Sequence, residues 1–332
     1  MNEKPCCPSS SPITRRSVLQ LLGAGAAISA PVWSYAAAAY PTGPVTLVVP
    51  FSAGGQFDSI GRAVALAMAP DLGKPMLVEN TGGAGGTIAG GKVARAKPDG
   101  QTLLLYGGNL ATAGDIYKSL DYDPLNDFQA ISRLSFAPHV IMASPSSGMT
   151  TFKQLRDKVN GGAKLSYGSP GVGTSMHLTF ELVKQQMGLD ILHVPYKGGA
   201  NVMTDLIAGN IDLGIIAIGP ALNFIKSKKV VPLGLTSKAR SKVAPEIPSL
   251  SELGLTDLDT GSWAGLSAPK ATPANIVERL NQSVLKALQS ADLKRMFEEQ
   301  GFIATPTTPA QMKEFAVQEA KAFSSVIRNL KL

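Results

Sequence analysis

From residue 45 onward, short apolar runs alternate with segments whose apolar residues recur every three or four positions, the pattern of strands feeding helices. The runs predict strands from Val45 to Val49, Met76 to Val78, Thr102 to Tyr106, Val140 to Ala143, Leu165 to Tyr167, Leu192 to Val194, Leu213 to Ile218 and Val231 to Thr236. Helical spacing predicts helices from Ser59 to Ala69, Thr87 to Ala96, Phe152 to Val159, Ser175 to Met187 and Val202 to Ala208. The last third reads as three longer amphipathic helices, Pro273 to Leu288, Ala291 to Gln300 and Pro309 to Leu330. Thr272 and Thr308 are placed to cap the two that open on proline. Strand and helix in alternation specify an α/β fold with mainly parallel sheets.

The first forty residues break this pattern. Arg15-Arg16 stands directly before an apolar stretch, Leu19 to Val32, about 14 residues long and short of the roughly 20 that span a bilayer. The small residues Ala36 to Ala39 follow, so residues 1–39 read as a twin-arginine export signal cut after Ala38 or Ala39. Both cysteines, Cys6 and Cys7, lie ahead of the arginines, which would leave the exported chain without a thiol, a disulfide or a lipid-anchoring cysteine. The leader carries Lys4, Arg15 and Arg16 against Glu3, so the remainder keeps +5 of the formal +7. Its densest basic clusters, Lys226 to Lys229 and Lys238 to Lys242, contain no aromatic residue. Such an excess suits small anions and is too thin for nucleic acid.

Four glycine-rich turns stand at predicted strand ends: Ser52 to Gly55, Gly82 to Gly86, Gly168 to Ser175 and Pro195 to Gly199. Tight strand-to-helix connections need glycine for steric reasons alone. Four of them in one chain, three leading straight into a helix, also describe a set of anion sites. Backbone N–H groups and helix N-termini attract a carboxylate or a phosphate alike. Gly86 to Val93 imitates the spacing of a phosphate-binding loop, but Val93 stands where a magnesium-binding hydroxyl is required, and Lys92 reads as a solvated helix residue. No G-x-S-x-G or H-E-x-x-H motif occurs. His139, His177 and His193 lack metal-ligand spacing, and no cofactor or metal is predicted. A fold could still gather the histidines, which keeps an exported hydrolase or isomerase using His177 as a rival reading. His177 otherwise touches a ligand, ties its turn or simply packs, and His193 reads as a hydrogen-bonded structural residue.

The stretches VPFSAGGQFDSIGR, VENTGGAGGTIAGGKVARAKPDGQTLL, LSYGSPGVGTSMHLTFELVKQQMGLDILHVPYKGGANVMTDLIAGNIDLGI and GSWAGLSAPKATPANIVERLN resemble, in order, the Bug family of extracytoplasmic solute receptors of tripartite tricarboxylate transporters. The resemblance covers essentially the whole chain after the leader. It implies a type II periplasmic binding protein fold, two α/β lobes joined by two crossing strands around a central ligand cleft. The crossings would fall near Val140 to Ala143 and Ser262 to Ser267. Lobe one would be residues 40–143 plus 264–332, completed by the terminal helices, and lobe two residues 144–263. It further implies a soluble periplasmic monomer, not an enzyme, that hands a small carboxylate to integral membrane carrier subunits. A receptor serving a sensor instead would leave no mark in the sequence.

Carried over by position, the ligand would meet Phe51, Ser52, Gly54, Gly55, Phe57 and Asp58 of the first turn and Gly83, Ala84 and Gly85 of the second. The other lobe would supply Ser169, Gly173, Thr174, Ser175 and His177, with Tyr196 and Lys197 close by. The family's first loop reads P-F-x-x-G-G-x-T/S-D, and here Gln56 and Phe57 precede Asp58. Phe57 is either a flat wall suited to an aromatic or extended carboxylate or a staple turned into the core. Asp58 is an N-cap for Ser59 or a partner for a ligand donor. Trp263 is hinge packing or a ligand stack.

Overall fold

The computed structural model describes residues 40–256 and 258–330; the twin-arginine stretch and both cysteines lie outside the described residues. The first half of the fold runs β1 (Val45–Val49), α1 (Gln56–Leu72), β2 (Met76–Asn80), α2 (Thr87–Ala94) and β3 (Thr102–Gly107). Two single helical turns, Gly108–Ala111 and Ala113–Ile116, then lead to β4 (Phe128–Ala143). There follow α3 (Phe152–Asn160), β5 (Leu165–Ser169), α4 (Ser175–Met187), β6 (Ile191–Pro195), α5 (Gly199–Ala208), β7 (Leu213–Ala217), α6 (Ile218–Lys226) and β8 (Val231–Leu235). The chain closes with β9 (Gly261–Pro269), α7 (Ala274–Ala287), α8 (Ala291–Glu299), β10 (Ile303–Ala304) and α9 (Pro309–Leu330).

Among the described residues the strands form one hydrogen-bonded path, β2-β1-β3-β9-β4-β7-β5-β6, with β10 and β8 also on β4. β1 pairs parallel with β2 and β3, and β5 pairs parallel with β6 and β7. β4 joins the two parallel groups. From Phe128 to Pro138 it runs antiparallel to β9, and from His139 to Ala143 antiparallel to β7. His139 is therefore the residue at which the strand changes partners. Just beyond it, Thr236 and Thr260 bond to one another and Thr236 bonds to the His139 backbone, which brings the chain back into β9.

Each parallel group is covered on both faces, as buried parallel sheets require. Val45, Leu47 and Leu105 pack on Ile60 and Val64 of α1 and on Leu280 and Val284 of α7, while Val48 and Leu104 pack on Ala89 and Val93 of α2. In the other group Ile141, Leu213 and Ile215 face Leu178 and Leu182, while Val140 and Ile216 face Val202 and Leu206. Helix α9 straddles both: Met312 and Ala316 pack near Trp263, whereas Phe323, Val326 and Ile327 pack among residues of α3 and α4.

Several elements differ from the sequence expectation for local reasons. Helix α1 starts at Gln56 with Gly55 as N-cap, because Gly54 takes φ 83° and turns the chain three residues early; Asp58 therefore lies inside the helix and does not cap Ser59. Thr308 caps α9, accepting from Gln311 N while Gln311 Oε1 accepts from Thr308 N. Thr272 caps nothing: extended Pro273 occupies the cap position of α7, and the buried Thr272 hydroxyl has no partner. Ile218 opens α6 and does not end a strand.

Candidate functional site

A cavity of about 360 Å³ lies where the ends of β1 and β3, the start of α4 and the start of β9 meet. Its walls include Phe51, Gln56 and Phe57, then Gly85, Gly108, Asn109, Ile116 and Tyr117. Val172 to Met176 and Gly261 to Trp263 close the opposite side. Gln56 and Phe57 are the first two residues of α1, Ser175 and Met176 the first two of α4, and Gly108 and Asn109 open the helical turn after β3. Peptide N–H groups in a first helical turn have no intrahelical acceptor, and the helix dipole is positive there. Three such turns converge on one cavity. Among the described lining residues there is no Lys, Arg, Asp or Glu, so the polar groups on offer are N–H donors, the Gln56 and Asn109 amides, and hydroxyls.

The loops are held by groups that do not themselves line the cavity. Asp58 is buried and accepts from Gly54 N at 2.8 Å, Arg62 Nε at 3.1 Å and Asn80 Nδ2 at 2.9 Å. Those bonds, Arg62's and Gly54's foremost, hold its carboxyl down at about 2, so its charge is neutralised within the turn. Asn80 also donates to Phe51 O. Asn109 Nδ2 donates to Gly85 O at 2.6 Å, which fastens the second turn to the end of β3. Gly108 is required by close approach: a Cβ there would stand 2.9 Å from Glu319 Oε2.

On the opposite wall Thr174 caps α4 by accepting from His177 N, and His177 Nδ1 accepts from Gly173 N at 3.1 Å. Burial, with the neighbouring His193, pushes the His177 imidazole down to about 4 and keeps that nitrogen an acceptor at neutral pH. The rings of His177 and His193 stack at 4.0 Å, and His193 Nε2 meets Ser169 Oγ at 2.8 Å. His139 lies apart from this pair, and among the described residues no group of three His, Cys, Asp or Glu could hold a metal ion.

Of the residues predicted from sequence, Phe51, Phe57, Gly85, Gly173, Thr174 and Ser175 line the cavity. Ser52, Gly54, Gly55, Gly83 and Ala84 lie in the same turns outside the lining. Asp58, Ser169 and His177 stand behind the walls as supports. Tyr196 turns its hydroxyl to Asp205 at 2.7 Å, and Lys197 is exposed away from the cavity. Lys92 pairs with Glu79 on the surface. Phe57 lines the cavity beside Phe51, at 4.9 Å between ring centroids, and also packs partly on the core. Trp263 is buried packing whose edge reaches the cavity, its indole N–H donating to Glu319. The turn Gly107-Gly108-Asn109 also lines the cavity, through Gly108 and Asn109, and it repeats the strand, glycine, helix signal of the four turns named from the sequence. Tyr117, Gly261 and Ser262 carry no such signal.

Two parallel groups joined by antiparallel strands, with a cavity lined by helix N-termini at the join, make an α/β fold built around a candidate ligand cavity suited to an anion. Among solved structures the fold is similar to that of the periplasmic binding protein BugD, at 32% identity and TM-score 0.70 over 87% of this chain and 98% of that one. The chain belongs to the tripartite tricarboxylate transporter family of receptors, whose model matches residues 60–332. A relative from Agrobacterium vitis, the UPF0065 protein in the TAR-I ttuE-ttuC' intergenic region, is 37% identical over 87% of this chain and 84% of its own. Two Rhodopseudomonas palustris structures are each 29% identical over 87% of this chain. One was solved with adipate, TM-score 0.72 over 97% of its length, and the other, MatC, with malate, TM-score 0.70 over its full length. The family is one of receptors, which removes the hydrolase or isomerase reading built around His177.

Proposed function

We propose that this receptor is exported through its twin-arginine leader and captures a small dicarboxylate by closing two lobes. The lobes are residues 40–143 plus 264–332 and residues 144–263, hinged where β4 and β9 cross, with α9 laid across both. The closed form is what integral membrane carrier subunits would read, since a ligand favours closure only by touching both sides. The carrying observation is the meeting of three helix N-termini around a cavity whose walls hold no charged side chain. Adipate and malate in the two Rhodopseudomonas relatives support a diacid. Phe51 and Phe57 supply a flat apolar wall. An apolar hollow of about 550 Å³ shares Gln56 and Met176 with the cavity, leaving room for an aromatic or extended body.

The energies suffice. Hydrogen bonds to a charged group contribute about 1.5–3 kcal/mol each, and micromolar binding needs about 8 kcal/mol net. Five or six would cover that and the cost of ordering two lobes. Thermal stabilisation across a panel of aliphatic and aromatic mono- and dicarboxylates tests the proposal. Stabilisation by one class of diacid is the expected result, and no shift with any carboxylate would sink it.

A further inference from the structure

His139 occupies the point where β4 changes partners, and its side chain is completely buried. Its Nε2 lies 3.2 Å from Ser262 Oγ and 3.4 Å from Ser175 Oγ, while its Nδ1 has no hydrogen-bond partner. Ser262 is the second residue of the crossing strand β9, Ser175 opens α4, and both line the cavity. One imidazole thus stands behind two hydroxyls that face a ligand from different elements.

A neutral imidazole carries one proton, on one nitrogen or the other. With the proton on Nδ1, a buried N–H would be left without an acceptor, and Nε2 would draw the hydroxyl protons of both serines toward itself. With the proton on Nε2, the orphan is only a lone pair. Buried donors without partners are rarer and costlier than under-satisfied acceptors. Deep burial also disfavours the doubly protonated ring, driving it down to about 3.

We infer that His139 is a positioning residue that carries its proton on Nε2, shares it between Ser175 Oγ and Ser262 Oγ, and so turns both hydroxyls into donors aimed at the cavity. The ligand group at this junction is then an acceptor without protons of its own, a carboxylate oxygen in preference to an amine or a protonated acid. This inference rests on the carboxylate reading and adds which side chains enforce it. It also explains a buried histidine that no sequence motif accounts for.

The tautomer is read directly by nitrogen NMR of the histidine-labelled receptor without ligand, with His139 assigned by the signals lost in His139→Gln. The expected spectrum has a pyrrole-type Nε2 and a pyridine-type Nδ1; the opposite pattern, or an imidazolium, overturns the inference. Calorimetry with adipate supplies the second arm. His139→Leu fills the same space without a donor and should weaken adipate about 10-fold, the loss of roughly one hydrogen-bond equivalent. His139→Gln, whose amide N–H reaches the Nε2 position, should stay within about 3-fold of the parent. Equal affinities for the Leu variant and the parent overturn the inference even if the tautomer is as expected. A parent protein that binds no carboxylate at all sinks the receptor reading and the selectivity with it. The spectrum would still report the tautomer, so the two failures are told apart.

Discussion

Trp263 Nε1 donates to Glu319 Oε2 at 2.6 Å, tying strand β9 to the C-terminal helix α9 behind the candidate cavity. The other carboxyl oxygen of Glu319 is buried with no partner. Burial pushes this carboxyl up to about 7, against the pull of the Trp263 bond and of Arg133. A carboxyl raised on folding stabilises fully below its unfolded value near 4.5 and loses that contribution as pH rises through about 7. Glu319→Gln keeps an acceptor for the indole and removes the charge. The variant should be more stable than the parent at pH 8, by about 3 kcal/mol, and the two should converge near pH 4. Guanidinium melts at the two pH values measure this.

Asp58 works in the opposite sense. Its carboxyl is held at about 2, so its contribution is present above the unfolded value near 3.8 and disappears as pH falls toward 2. Asp58→Ala leaves Gly54 N and Asn80 Nδ2 without their acceptor and frees the first turn. Adipate affinity should fall about 10-fold although Asp58 lies outside the lining, as expected for loss of one charged hydrogen-bond acceptor. An unchanged affinity would show that the turn holds its shape without the carboxylate.

The same logic applies to His177, whose neutral Nδ1 accepts from Gly173. Its lowered value, about 4, means that the unfolded chain binds the extra proton first. Stability should therefore decline as pH drops from about 6.5 to about 4. His177→Asn places an amide oxygen near the Nδ1 position and should keep ligand affinity while flattening part of this acid decline. His177→Ala should lose affinity at every pH. Melting curves with and without adipate at pH 5 and 7.5 distinguish the two.

What the sequence disclosed, and what it hid, follows from how local each signal is. β1 and α4 could be read to the residue because each is bounded by its own turn chemistry, Thr174 and Gly188 capping α4 at its two ends. Only the last four residues of β4 could be read, because Ser132, Arg133, Ser135 and Pro138 interrupt its apolar run. In the fold β9 pairs along that stretch, and Arg133 is sandwiched between the rings of Phe136 and Phe315. Ile218, which the apolar run assigns to the end of a strand, is instead the first residue of α6, where Pro220 is tolerated because early N–H groups need no partner. Two of the three helix N-termini at the cavity, those of α1 and α4, are legible as glycine turns. Ser262 is not, since it reaches the cavity only through the pairing of β9 with β4.

The proposed choice between an aromatic and an aliphatic diacid is tested at Phe57. Its ring meets that of Phe51 at 58° between planes and 4.9 Å between centroids, and its far edge lies so close to Gly107 that a Cβ there would stand 2.8 Å from Cζ. The ring thus sits close against Gly107 and Phe51 at the cavity wall. An aromatic wall favours a flat ligand, by about 0.5–1.5 kcal/mol for an aligned aromatic pair. Phe57→Thr should therefore lower the affinity for benzene-1,4-dicarboxylate about 3- to 10-fold relative to that for adipate. Phe57→Leu, which keeps the apolar volume against the core, separates the wall from the packing. Titration calorimetry with both diacids on both variants decides it. If Phe57→Thr weakens the two ligands equally, the ring serves the fold and not the choice of ligand.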